Sequence, residues 1–151
     1  MKEKDIFDRM MSLPGLRILE PFYTRNKEVL LYLFFGGLTF LISVVTYAYF
    51  AVTLDINELV ANVFSWILSV AFAFVTNKIW VFQSKTNTVP AFMQEAFSFF
   101  SGRIVTLVVE EVILFVFITM LHWSSLGVKV AAQIIIIILN YIISKLFVFR
   151  K

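Results

Sequence analysis

The sequence predicts an all-α membrane protein of four spans, built as two repeated helical hairpins behind a short N-terminal interfacial helix. Three observations predict it. The 151 residues are 60% hydrophobic and only 15% charged, with 18 Phe and a mean hydropathy of +0.89, against roughly 45–50% apolar and 25% charged usage in soluble domains. Four apolar segments each reach the roughly 20 residues that a bilayer core requires. The closing residues of the second and fourth segments also match one another. Zero Cys and a single His leave no thiolate or histidine cluster for a metal or a nucleophile, so an enzyme is not expected. No cofactor and no nucleic-acid partner is expected either.

Two regions follow, an arm over residues 1–28 and a membrane domain over 29–151. The arm carries charges throughout and has no apolar core of a signal peptide. Ile6 with Met10, and Phe7 with Met11, are i, i+4 pairs opposed by Lys4, Asp5, Asp8 and Arg9, which fits a short helix lying on the membrane surface. Pro14-Gly15 and Pro21 end it. A basic leader that only sets topology fits the same residues equally well.

The first span runs from Leu30 to Phe50, with no charge and an interior Gly36-Gly37 pair at which another helix can approach. The second runs from Leu59 to Phe82, the third from Ala96 to Leu121 and the fourth from Val128 to Phe149. The connections, Thr53–Glu58, Gln83–Glu95 and His122–Gly127, are short, so successive spans are expected antiparallel. Lys2, Lys4, Arg9, Arg17, Arg25 and Lys27 of the arm, Lys85 of the middle loop, and Arg150 and Lys151 lie on one side, with only Lys129 opposite. Both termini are therefore expected in the cytoplasm.

Phe74 to Phe82 aligns with Tyr141 to Phe149 at an offset of 67, each with a Lys four residues after an aromatic and a closing aromatic-Val-Phe. Phe34-Phe35-Gly36-Gly37 resembles Phe99-Phe100-Ser101-Gly102 at an offset of 65. Two copies of a two-span unit are expected, about 30–82 and 96–149.

The repeat places charges inside the spans. Lys78 and Lys145 fall before the cytoplasmic exits of spans two and four, and Arg103 about two turns inside span three. A cation there costs at least a few kcal/mol unless it snorkels, pairs or faces water. Either Lys alone reads as a snorkelling side chain; the three at similar depth read as a pocket for a phosphate, Arg103 as a bidentate fork and each Lys as a point charge. Asn77, Asn140 and Ser144 add hydrogen-bonding groups that serve either a ligand or helix packing. Glu110 and Glu111 lie seven and eight residues beyond Arg103, placed to neutralise a Lys, carry a proton or bind hydroxyls of a polar cargo. Asn62, Ser65 and Ser69 form a polar stripe that either lines a path or joins helices.

Phe35-Gly36-Gly37-Leu38-Thr39, Ala61-Asn62, Phe74-x-x-Asn77-Lys78-x-Trp80-Val81-Phe82 and Lys145-Leu146-Phe147-Val148-Phe149 resemble the GtrA family. The resemblance covers Leu30 to Phe149 and is most specific at the Asn-Lys-x-aromatic-Val-Phe ending. It departs at Ser43, where many relatives carry Asn, and at Ser144, which stands where the first repeat has Asn77. It implies a four-span protein of the bacterial cytoplasmic membrane that flips a polyprenyl-phosphate-linked sugar outward for decoration of surface polysaccharide. Lys78, Arg103 and Lys145 would hold the phosphate, and carboxylates and amides the sugar. The implied partners are the lipid-linked sugar, membrane lipid and membrane glycosyltransferases; so small a domain is also compatible with a homo-oligomer. Two alternatives come from other classes: a non-transporting scaffold for a glycosyltransferase, and a small multidrug exporter, which would need an acidic residue that the first span lacks.

Overall fold

The computed structural model describes residues 5–149, without the side chains of Glu58, Leu59, Glu111, Ser125, Leu126, Lys129 and Val130. Lys2, Lys4, Arg150 and Lys151, counted above for topology, lie outside that set. Among the described residues every regular element is helical. Two compact units divide the chain, residues 1–83 and 84–151.

In the first unit, α1 (Ile6–Met11) opens on a reciprocal cap. The Asp5 carboxylate accepts from the Phe7 and Asp8 backbone N–H groups at 3.0 Å, and Asp8 accepts from the Asp5 N–H at 3.1 Å, which satisfies donors that a helix start otherwise leaves free. A 3₁₀ turn (Arg17–Leu19) leads into α2 (Glu20–Ala48), which departs from helical geometry at Asn26, φ −117° and ψ 16°. Then α3 (Glu58–Thr76) returns along α2. The seam between them is small and hydroxylic. Ser65 Oγ donates to the Ser43 carbonyl at 2.5 Å and lies 3.3 Å from Ser43 Oγ, while Ala61, Ala73 and Leu31 are buried. In lipid such helices are held by close packing and interhelical hydrogen bonds rather than by expulsion of water.

The second unit is α4 (Val89–Leu114) packed on α5 (Ser125–Ile143). The expected loop over Gln83–Glu95 is shorter, because α4 begins at Val89. Thr88 supplies the reason: its hydroxyl accepts from the Ala91 N–H at 3.4 Å, and Pro90 in the first turn costs no helical hydrogen bond. At Gly102 the two helices touch so closely that a Cβ would stand 2.8 Å from Ile143 Cγ2.

Each of α2 to α5 ends in a π turn: Tyr49–Thr53, Asn77–Val81, Phe115–Met120 and Ser144–Val148. Their closing bonds recur 67 residues apart. The Phe82 N–H donates to the Asn77 carbonyl at 2.8 Å and Phe149 to Ser144 at 2.9 Å; Leu54 donates to Tyr49 and Leu121 to Val116, both at 3.1 Å. Ile56 to Phe50 (3.0 Å) and Trp123 to Phe117 (2.9 Å) follow the same spacing. So do the left-handed residues that stop the chain, Asp55 at φ 53° and His122 at φ 55°, which free the last carbonyls to accept bonds from beyond the helix. The Phe-Phe-x-Gly likeness at 65 is two residues off this register.

Among the described residues, three segments are long and apolar enough to cross a membrane: Arg17–Thr53, Val60–Val81 and Ala131–Val148. The remaining long helix, α4, has 26 residues but carries Glu95, Arg103, Glu110 and Glu111. Large apolar side chains face outward along all four long helices, among them Phe40, Ile67, Val105 and Ile138. Such exposure is prohibitive in water and ordinary in hydrocarbon.

Candidate functional site

In the first unit the charged end is built by α1, the start of α2 and the π turn after α3. Lys27 Nζ lies 2.7 Å from Asp5 Oδ2 and 2.7 Å from both Asp8 carboxylate oxygens, and Gln83 Nε2 donates to Asp5 Oδ2 at 3.4 Å. Partial burial pushes the Asp5 carboxyl up. The hydrogen bonds from Lys27 and from the Asp8 and Phe7 N–H groups, with the Lys27 charge, outweigh that and hold it below the usual carboxylate value. Phe7 sets its ring edge against Phe35, centroids 5.6 Å apart, and Phe35 stacks on Trp80 at 5.4 Å. The arm is thus linked through Phe35 to the π turn that carries two of the sequence-predicted site residues.

Those two differ in setting. Asn77 is 3% exposed; its Nδ2 donates to the Ala73 carbonyl at 2.7 Å and its buried Oδ1 has no hydrogen-bond partner among the described residues. A buried acceptor left open costs about 1–3 kcal/mol, so this atom is placed to receive a donor. Lys78, next to it, is half-buried. Asn62 is exposed near the other end of α3, fifteen residues or roughly 22 Å away, and does not join them. Of its stripe, Ser65 bonds the neighbouring helix and Ser69 donates back to the Trp66 carbonyl at 3.0 Å.

In the second unit Arg103 stacks its guanidinium over Phe99, 4.9 Å from the ring centroid, an attraction that strengthens as water is removed. Phe99 in turn meets Phe149 at 5.9 Å, and both rings are 2% exposed. The Gly102–Ile143 contact sets Arg103 and Lys145 at nearly one level of this helix pair. Lys145 is exposed; its Nζ donates to the Tyr141 hydroxyl at 3.2 Å and lies 5.4 Å from that ring's centroid.

Deeper along the same seam, Asn140 Oδ1 accepts from the Thr106 hydroxyl at 2.8 Å, both residues buried. Further in, Gln133 Nε2 donates to Glu110 Oε1 at 2.5 Å. Glu110 therefore faces this seam, buried at 8% exposure; the Glu111 side chain is outside the described residues. The seam holds a row of cation, hydroxyl, amide and carboxylate, suited to an anionic headgroup with a hydroxyl-rich neighbour.

Sequence reasoning missed Gln133, Thr106 and Glu95. Glu95 is buried and accepts from the Ser84 hydroxyl and, at 3.4 Å, from Thr86. Pairings across 23 and 34 residues of chain have no local signature. The Ser84-x-Thr86 pair just before α4 was the available hint for Glu95. No group of three or more His, Cys, Asp or Glu able to hold a metal occurs among the described residues.

Residues 31–149 match the family described as GtrA/DPMS, transmembrane domain. The chain is 37% identical over 131 residues, 86% of its length and 90% of the relative's, to a cell wall teichoic acid glycosylation protein GtcA of Listeria innocua. It is 35% identical over the same shares to GtcA of Listeria monocytogenes. It is 29% identical over 121 residues, 80% of this chain and 95% of the relative, to the uncharacterised membrane protein YwcD of Bacillus subtilis. No solved structure matches. The motif at the π-turn ends, the apolar helices and the match over nearly the whole membrane domain agree: this chain is a membrane protein of the GtrA/DPMS transmembrane-domain family.

Proposed function

We propose that this chain moves a polyprenyl-phosphate-linked monosaccharide from the cytoplasmic to the outer leaflet of a bacterial cytoplasmic membrane, where the sugar is used to glycosylate a cell-surface polysaccharide. It does so without catalysing a covalent step, as a four-span protein in which α4 crosses the bilayer despite its charges and both termini are cytoplasmic. The sugar's acceptor is teichoic acid or a comparable wall polymer, by analogy with the GtcA relatives' name. Arg103 binds the phosphate through its fork, and Lys78 and Lys145 add charge. Glu110, Glu111, Asn140, Asn77 and, nearer the far end, Asn62 replace water around the sugar. Membrane glycosyltransferases that load and unload the lipid are its functional partners, and a homo-oligomer supplies further wall to the path.

The observation that carries this reading is Arg103 seated on Phe99 within an apolar helix, level with Lys145 and followed inward by Asn140 and Glu110 on one seam. A cation so placed needs a function to offset the cost of inserting it. The test is outer-leaflet sugar transfer in cells producing Arg103→Ala, Lys78→Ala or Lys145→Ala at normal levels. Loss of transfer is expected in each; wild-type transfer in all three rejects the phosphate site. A transferase scaffold would retain transfer in these variants.

A further inference from the structure

The arm docks on a cluster that the transport reading does not use. Lys27 Nζ stands 2.7 Å from Asp5 Oδ2 and from both Asp8 carboxylate oxygens, so three oxygens surround one ammonium. Gln83 Nε2 donates to the same Asp5 oxygen at 3.4 Å. The Tyr23 phenol adjoins them, with Lys27 Nζ 6.0 Å from its ring centroid and both carboxylates near. Tyr23 is 7% exposed, and its hydroxyl has no hydrogen-bond partner among the described residues. The helical body of the first unit thus brings an ammonium, an amide N–H and a hydroxyl to one place, and the arm brings two carboxylates.

We propose that Lys27, Gln83 and Tyr23 form a binding site for a phosphate group, which Asp5 and Asp8 of the arm occupy in this structure as the phosphate's stand-in and leave when phosphate binds. Three features carry it. The oxygens about Lys27 copy the terminal oxygens of a phosphate, which an ammonium binds as a point charge. The Tyr23 hydroxyl is a buried donor that the two carboxylates leave open, at a cost; a phosphate, with its oxygens on one centre, supplies the missing acceptor. Lys27 lies three residues before the charge-free run that opens at Leu30, about 4.5 Å along the helix, which sets it at the depth of lipid headgroups. The phosphate is that of a lipid headgroup or of a soluble anion, and the same donors bind either.

The arm is built to leave. Helix α1 has six residues, none of them fully buried, far short of the roughly 12–15 at which an isolated helix persists in water. Its hold is the ion pair and the Phe7 ring, edge-on to Phe34 at 6.0 Å and to Phe35 at 5.6 Å. The Lys27, Asp5 and Asp8 side chains keep 22%, 19% and 25% exposure, so an anion reaches the ammonium without the long helices parting. Displacing the carboxylates also loosens Phe7 from Phe35, which stacks on Trp80 at 5.4 Å. Phosphate binding and arm docking therefore exclude one another, and Trp80 reports which of them holds.

The test is phosphate binding by the full chain in a zwitterionic detergent, followed by phosphorus NMR titration with inorganic phosphate and, separately, with dihexanoyl phosphatidic acid. Arg103→Ala is the background, which removes the fork of the proposed transport site and lets the two proposals fail independently. Asp5→Asn with Asp8→Asn removes the competing charge but keeps side chains that cap a helix. It should tighten binding about fivefold, the worth of a partly exposed ion pair. Adding Lys27→Gln should then weaken binding by about tenfold, as should Tyr23→Phe, which takes away one hydroxyl and keeps the ring. With Trp66 and Trp123 changed to Phe, phosphate should move the Trp80 emission of the unaltered arm toward that of the Asn pair. Binding of phosphatidic acid alone assigns a lipid headgroup, and equal binding of both probes assigns a soluble phosphate; either supports the site. No binding by the Asn pair, binding that Lys27→Gln and Tyr23→Phe leave unchanged, or binding that leaves Trp80 unmoved overturns it. An Asn pair that binds no tighter than its parent overturns it as well, because the ion pair is then a structural tie only.

Discussion

Midway along its helices the first pair is joined by hydroxyls, Ser65 donating to the Ser43 carbonyl, whereas the second carries a carboxylate and amides on the corresponding seam, Glu110 with Gln133 and Thr106 with Asn140. The ends are alike in both, with π turns, left-handed stops and a Lys repeating at 67 residues. The two pairs are alike in what terminates a helix and bears positive charge, and differ in what faces the partner helix. The first pair receives the arm; the second keeps polar groups along its seam. The proposed function puts ligand contact mainly on the second pair and support mainly on the first.

The largest expected effect lies in the second pair. Arg103→Ala should reduce sugar transfer by about 100-fold, the scale of a charge-assisted, bidentate phosphate contact. Lys78→Ala, from the first pair, should cost about tenfold. Equal losses would remove the distinction between the pairs.

The seam offers a stability test of the same contrast. Glu110→Ala leaves the half-buried Gln133 amide without this acceptor and should destabilise the protein by about 1–3 kcal/mol; Ser43→Ala keeps the carbonyl that Ser65 uses and should cost about 0.5 kcal/mol or less. Thermal unfolding in detergent reads both, and the reverse order would contradict the seam. Glycine substitutions sharpen it further. Gly102→Ala drives a Cβ to 2.8 Å from Ile143 Cγ2, an overpacking cost of about 1–3 kcal/mol. Gly36→Ala meets nothing within 4 Å and should stabilise α2 by about 0.5–1 kcal/mol through helix propensity.

Much of this was legible in the sequence, and the reasons differ by residue. The apolar segments and the aromatic-Val-Phe endings are long, local patterns, so the family and three of the four expected spans followed from them; the expected third span, in α4, is not among the segments long and apolar enough to cross a membrane. The seam partners were not legible: Gln133 sits in an Ile-rich run and gains meaning only when the α4–α5 register faces it to Glu110. The π turns were invisible because one extra residue at a helix end leaves the hydrophobic pattern intact. Asn62 looked equivalent to Ser65 by spacing, yet its side chain is exposed while Ser65 is buried in the seam. The arm's amphipathic spacing fitted a helix and a basic leader equally, and gave no sign that Lys27, 22 residues on from Asp5, would hold it.

The smallest expected effect concerns that arm, which the second pair lacks. Asp5 has a folded value below its ordinary 3.8, so its contribution is complete above that value and is lost as pH falls through the lower folded one. Emission from Trp80, with Trp66 and Trp123 changed to Phe, should report release of the Phe7–Phe35–Trp80 stack below pH 3.8 and no change between about pH 5 and 8. A transition near neutrality would show that another group holds the arm. As a partly exposed ion pair it contributes about 1 kcal/mol at most.

The most direct measurement is transport by the purified protein alone. Liposomes containing it are loaded with a fluorescent polyprenyl phosphosugar in one leaflet, and the appearance of label in the other is followed for wild type and Arg103→Ala. A flippase with its phosphate site at Arg103 gives protein-dependent flipping that Arg103→Ala reduces by about 100-fold. Absence of flipping by folded wild type, or equal flipping by both proteins, would contradict it.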